Sequence, residues 1–113
     1  VSDCIFCKIA AGEMGTEFIY EDDQVVAFRD INPVAPVHIL VIPKKHIPSA
    51  NELTEADNQL IGHIFQVIKK LAQKENLNQG YRIVNNCGRE GGQTVHHLHF
   101  HLLGGRNLQW PPG

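Results

Sequence analysis

Seven residues near the C-terminal end, His97-Leu98-His99-Phe100-His101-Leu102-Leu103, set three histidines in strict alternation with apolar residues. Alternation of this kind is a strand pattern. On a strand it sends His97, His99 and His101 to one face and Leu98, Phe100 and Leu102 to the other. Neutral imidazole is a nucleophile, a proton carrier near neutral pH and a metal ligand. A lone histidine on a strand is ordinarily packed or solvated, but three in register point to chemistry. One metal shared by all three is awkward, because His97 and His101 would stand about 13 Å apart along a strand. Division of labour fits better, with one ring attacking, one handling protons or phosphate charge, and one orienting.

Other groups with chemical potential surround this run. Gly91-Gly92-Gln93-Thr94 immediately precedes it, and such a turn can aim backbone N–H groups and a hydroxyl at an anionic oxygen. Cys4-Ile5-Phe6-Cys7 has metal or redox spacing. The redox reading wants a βαβ pattern that does not follow, whereas the histidines could complete a zinc site. Cys87 has no near partner and reads as a half-buried thiol. His38 suits a core or a catalytic role equally, and Asp30 a turn cap or a hydroxyl ligand. His46 reads as surface, His63 as solvated or packed, and His96 as structural.

Elements must position these groups. At 113 residues the chain is read as a single domain spanning 1–113. Ser2 and Asp3 are expected to cap a short first helix over 4–11, ended by Gly12. Residues 18–20 and 24–31 suggest a hairpin, and Val37–Ile42 a buried third strand. Thr54 and Asp57 form a weak capping box before a long amphipathic helix carrying Leu60, Ile61, Ile64, Val67, Ile68, Leu71 and Ala72. Tyr81–Asn85 is a fourth strand, and the histidine run is the last. The resulting expectation is an α+β fold, a mostly antiparallel sheet of about five strands with one long and one short N-terminal helix.

Composition narrows the partners. A formal net charge of −2 with no Lys/Arg run argues against nucleic acid. No apolar run approaches the roughly 20 residues of a membrane span, and no signal-peptide layout is present, so a cytoplasmic protein acting on small molecules is expected.

The chain resembles the histidine triad (HIT) superfamily, and within it the Hint branch of purine nucleoside phosphoramidases. The resemblance rests on the His-φ-His-φ-His-φ-φ run together with Phe28-Arg29-Asp30-Ile31-Asn32-Pro33, His38 to His46, Gly80-Tyr81-Arg82, Gly91 to Thr94, Leu103-Gly104-Gly105-Arg106 and Trp110-Pro111-Pro112-Gly113. It implies hydrolysis of purine nucleoside phosphoramidates and acyl-nucleotides through a nucleotidyl-histidine. His99 would be the nucleophile, and His101 the phosphate contact and proton donor. Thr94 would lie near the leaving group, and His38 would act as relay. The nucleotide contacts implied are Phe28, Asp30, Ile31, Asn86, Gly92, Gln93, Thr94, His99 and His101. In some relatives a Cys-x-x-Cys and two histidines hold structural zinc, here Cys4, Cys7, His46 and His97, which raises His46 above the surface role given to it before. A homodimer with the tail 106–113 at its interface is also implied, and no organic cofactor. The alternatives are a dinucleoside polyphosphate hydrolase and a nucleotide-binding regulator with vestigial catalysis.

Overall fold

The computed structural model describes residues 3–113. Its elements run α1 (Ile5–Ala10), β1 (Tyr20–Glu21), β2 (Val25–Arg29), β3 (Val37–Pro43), α2 (Asn58–Lys74), β4 (Tyr81–Val84) and β5 (Phe100–Gly104), with short 3-10 turns at Ala50–Glu52 and Glu55–Asp57. The five strands form one antiparallel sheet in the order β1-β2-β3-β5-β4, so the last strand in the chain is inserted between β3 and β4. This is the α+β arrangement expected.

Period-2 patterning divides the sheet into two faces. Val25, Ala27, Ile39, Val41, Phe100 and Leu102 point to one side, where they pack with Ile64, Val67, Ile68 and Leu71 of α2. These helical positions recur at 3.6-residue spacing and are almost wholly buried, each contributing roughly 1.5–3 kcal/mol of transfer free energy. Val26, Phe28, Leu40 and Ile42 point to the other side, where the cover is thinner and Phe6 of α1 closes the cluster. The thin side carries the histidines.

The helix ends are set by side chains. The capping box of Thr54 and Asp57 forms as expected, but it closes the turn Glu55–Asp57 from which α2 continues at Asn58. At α1 the cap is Cys4, whose sulfur accepts from the Cys7 N–H at 3.3 Å. Asp3 is therefore not the cap, and Ser2 lies outside the described residues. Gly12 follows the helix with φ +80°, its N–H donating to the Ile9 carbonyl. In the β1–β2 hairpin, Asp22 Oδ1 accepts from the N–H groups of Gln24 and Val25, while Oδ2 takes the Tyr20 hydroxyl and meets His63 Nε2 of α2 at 2.6 Å. His63, expected to be solvated or packed, thus pins the long helix to the hairpin. No helix among the described residues is long and apolar enough to cross a membrane.

Candidate active site and metal cluster

The histidine run divides where its backbone partners change. Regular pairing begins only at Phe100, which faces Val41 of β3. Upstream, the Leu98 N–H donates to the Ile47 carbonyl in a loop, so His97, in a bend, and His99 lie outside the ladder. The expected seven-residue strand is therefore shorter at its start. Alternation survives, with Leu98, Phe100 and Leu102 in the α2 core and His97 and His99 buried on the thin side.

Each triad ring has its tautomer set by a group whose role is fixed. A backbone carbonyl can only accept, so the Pro43 carbonyl 2.8 Å from His97 Nε2 places the proton there and leaves Nδ1 as a lone pair. The His97 carbonyl, 2.7 Å from His99 Nδ1, likewise takes the Nδ1–H of His99. His99 Nε2 is left unprotonated. It makes no hydrogen bond among the described residues, and no unpartnered buried side-chain nitrogen or oxygen is found among them, so it is open to an incoming atom. The third ring is set from further back. The Val34 N–H can only donate and meets His38 Nδ1 at 3.1 Å, so the His38 proton sits on Nε2. That nitrogen lies 2.9 Å from His101 Nδ1, which therefore accepts, and His101 presents Nε2–H. A lone pair on His99 stands beside an N–H on His101, with ring centroids 5.1 Å apart.

Electrostatics agree with neutral rings. Burial, with the neighbouring His99 and His38, pushes His101 down to about 4, and Asp30 only partly offsets this. Burial also lowers His97 below the ordinary imidazole value. At pH 7 His101 is a neutral donor.

The remaining expected site residues fall at differing distances from this centre. Asp30 Oδ2 is 3.4 Å from His38 Nε2, and its Oδ1 accepts from the Asn32 N–H. Asp30, His38 and His101 bring their ligand atoms together. A metal there would need His38 to give up its only proton while still accepting from Val34, so the group is better suited to hydrogen bonding. Phe28 is buried against Phe6, and Ile31 is 92% exposed on the loop after β2. In the turn before the triad, a Cβ at Gly91 would lie 2.4 Å from the Cys87 carbonyl oxygen, and Gly92 has φ +84°. Both positions require glycine. The Gln93 side chain is buried and turned into this loop: its amide donates to the Pro48 and Val95 carbonyls, and its oxygen accepts from the Gly88 N–H. Gln93 thus holds the loop's shape, with Thr94 exposed beside it. Asn86 follows β4.

Groups missing from the sequence reading are the backbone atoms of Pro43 and Val34, the Asn85 amide and Phe6. The Asn85 Nδ2 donates to the His99 carbonyl at 2.9 Å. Asn85 was visible only as the end of a strand, and a main-chain carbonyl has no signature in sequence.

A separate assembly forms around the cysteine pair. Cys4, Cys7, His46 and His97 bring one donor atom each within 4.8 Å of one another. His97 Nδ1 is 3.4 Å from Cys4 Sγ, 3.6 Å from Cys7 Sγ and 3.2 Å from His46 Nδ1, and Cys7 Sγ is 3.2 Å from His46 Nδ1. Zinc bonds of about 2.3 Å to sulfur and 2.0–2.1 Å to nitrogen give tetrahedron edges of roughly 3.3–3.8 Å, so the spacing fits. The His97 Nε2–H held by Pro43 is the outer hydrogen bond that a metal-bound imidazole ordinarily makes. Burial and Cys4 raise the Cys7 thiol above its usual value, a shift that a dication would reverse by binding the thiolate. No disulfide joins these cysteines.

Comparison with known proteins gives consistent results. A family model described as the HIT domain matches residues 11–108. An uncharacterized HIT-like protein of Synechococcus elongatus is 54% identical over 111 residues, covering 98% of this chain and 97% of its own. The crystal structure of a HIT family hydrolase from Legionella pneumophila superposes with a TM-score of 0.97 at 52% identity, covering 98% of this chain and all of that one. A histidine triad nucleotide-binding protein from Candida albicans superposes with a TM-score of 0.82 at 34% identity, covering 96% of this chain and 83% of that one.

Proposed function

Since the chain belongs to the HIT domain family, we propose that it hydrolyses purine nucleoside 5′-phosphoramidates and acyl-nucleotides to the nucleoside monophosphate through a nucleotidyl-His99 intermediate. The observation that carries this reading is the pairing of a His99 Nε2 lone pair with a His101 Nε2–H, each fixed by a backbone group. In-line transfer at phosphorus needs such a nucleophile, and an amine leaves only if it is protonated. His99 Nε2 forms a bond to the α-phosphorus as the P–N bond breaks, and the departing nitrogen takes the Nε2 proton of His101, which picks up a proton together with the anionic phosphate, donates it as imidazolium and returns to neutral imidazole. The His97 carbonyl steadies the cationic nucleotidyl-imidazole. Water then attacks phosphorus, returns a proton to His101 and frees His99. The Gly91–Thr94 turn lies toward the phosphate and leaving group, Gly92 and Asn86 contact the phosphate region, Asp30 meets the ribose hydroxyls, and Phe28 and Ile31 line the base. Gln93 serves this site by holding the turn. Similarity to a histidine triad nucleotide-binding protein of Candida albicans supports a nucleotide as ligand.

Rapid quenching with adenosine 5′-phosphoramidate followed by mass spectrometry is the direct test. An adduct on His99, and loss of turnover in His99→Ala, are expected. Full activity in that variant would refute the mechanism. Faster cleavage of a dinucleoside polyphosphate than of the amidate would move the assignment to the alternative hydrolase.

Zinc is the metal that the Cys4, Cys7, His46 and His97 donor set suits best, two thiolates and two imidazoles making a closed site that fastens α1 to the sheet. About one equivalent per chain is expected in purified protein. A homodimer is also part of this reading: Trp110 is 80% exposed on a tail tied down by Arg82 to the Gln109 carbonyl, and Arg106 reaches the Val34 carbonyl. Light scattering on the intact chain tests it.

A further inference from the structure

His97 belongs to two assemblies at once. Its ring nitrogen Nδ1 faces Cys4, Cys7 and His46, while its main-chain carbonyl receives the Nδ1–H of His99. A second connection runs through Phe6, which lies between the two cysteines in sequence. Phe6 is buried and stands edge-on to His99, with centroids 5.1 Å apart and planes at 86°. It makes the same kind of contact with His97 at 6.0 Å.

A histidine side chain has two torsions. The hydrogen bond to the His97 carbonyl restrains the His99 ring at one atom, and the Phe6 ring packed against it at 86° restricts the rocking about the Cβ–Cγ bond that a single hydrogen bond still permits. α1 itself is six residues long, well short of the roughly 12–15 at which a helix persists unaided. Its place is therefore set by its tethers, Phe6, Ile9 and Ala10 in the thin-side cluster and the cysteines on the donor set.

We propose that the Cys4–Cys7 turn is a positioning element for the nucleophile: metal held by the four donors fixes α1, and Phe6 then holds the His99 ring in the orientation that aims its free nitrogen outward. Phe6 is a positioning residue in this scheme, acting on substrate only through His99. The effect on rate rests on His99 being the nucleophile, whereas the effect on ring orientation does not.

Both are read in one experiment on the intact chain with ¹⁵N-labelled histidine. The His99 ring nitrogens are followed by NMR in zinc-loaded protein, after chelation, after zinc is restored, and in zinc-loaded Phe6→Leu. The rate constant for nucleotidylation of His99 by adenosine 5′-phosphoramidate is measured in each state, with metal content and melting recorded beside it. Zinc-loaded protein should give the signature of one fixed Nδ1–H tautomer. Chelation should average it and slow nucleotidylation about tenfold or more, with recovery on adding zinc. Phe6→Leu should keep its zinc yet show the same averaging and a several-fold slower step, with kcat affected more than KM. This variant keeps all four donors, so it decides the matter even if chelated protein unfolds. An unchanged His99 signature in zinc-loaded Phe6→Leu would overturn the proposal. A changed signature with unchanged rates would uphold the positioning and refute His99 as nucleophile.

Discussion

Replacing His38 separates the proposed relay from the proposed nucleophile. His38 is 6% exposed, accepts from the Val34 N–H and donates to His101 Nδ1. His38→Phe preserves ring shape and removes both contacts. A hydrogen bond of this kind is worth roughly 0.5–1.5 kcal/mol net, and an N–H left without a partner adds about 1–3 kcal/mol to the cost of folding. With His101 Nδ1 no longer occupied, its proton is free to occupy either nitrogen, and the Nε2–H form loses the bias worth that first amount. Tenfold in rate corresponds to about 1.36 kcal/mol, so kcat on adenosine 5′-phosphoramidate should fall about 3- to 10-fold, with KM changed much less. His38→Gln places an amide donor near the former Nε2 and should recover most of kcat while remaining destabilised at Val34. Steady-state kinetics and urea unfolding of both variants separate the two effects. An unchanged kcat in His38→Phe, or a kcat in His38→Gln as low as in the Phe variant, would refute the tautomer argument.

Two further perturbations follow from the structure. Burial would raise the Asp22 carboxyl, but hydrogen bonds from Tyr20, Gln24, His63 and Val25 outweigh it and hold the group well below the usual carboxylate range. Asp22→Asn should cost about 1–3 kcal/mol at pH 7. Because the folded value is depressed, that difference is fully present above an unfolded value of about 3.9 and should narrow as pH falls below it; urea midpoints at pH 7, 5 and 3 check this, and a gap that widens with acid would contradict it. Gly91→Ala forces a Cβ to 2.4 Å from the Cys87 carbonyl oxygen and 3.0 Å from its nitrogen. The loop must shift, costing about 1–3 kcal/mol, and kcat/KM should fall about tenfold or more; full activity and an unchanged melting curve would show that the turn does not shape the site.

Side-chain periodicity made much of this molecule legible in its sequence. Alternation at Leu98–Leu102 assigns each of those residues to a face, the largely apolar runs at Val25–Phe28 and Val37–Ile42 mark strands covered on both, and the 3.6-residue recurrence from Leu60 to Ala72 marks the helix that covers one face. The donor types at Cys4, Cys7, His46 and His97 were likewise visible once the family resemblance brought His46 forward. The features that stayed hidden are those made by the main chain. Nothing in the sequence tells that Ile47 takes the Leu98 N–H and so delays β5 to Phe100, or that the Pro43 carbonyl and the Val34 N–H decide where the protons of His97 and His38 sit. Cys4 as a helix cap was hidden for another reason. Ser2 and Asp3 have the stronger capping preference, but the sulfur is held by the cluster and is already aimed at the Cys7 N–H.

The strand order carries a consequence for how the molecule comes into being. β3 and β4 are not neighbours in the sheet, because β5 separates them. A nascent chain emerging from the ribosome can therefore close the β1–β2–β3 hairpins and wind α2, but β4 has no strand to join until residues 100–104 arrive. The same insertion brings His101 to His38 and extends the segment that lays His97 beside the cysteines. The proposed catalytic pair, the Cys–His cluster and sheet completion thus depend on one late event, and a chain stalled before it leaves the edge of β3 open and β4 without a partner.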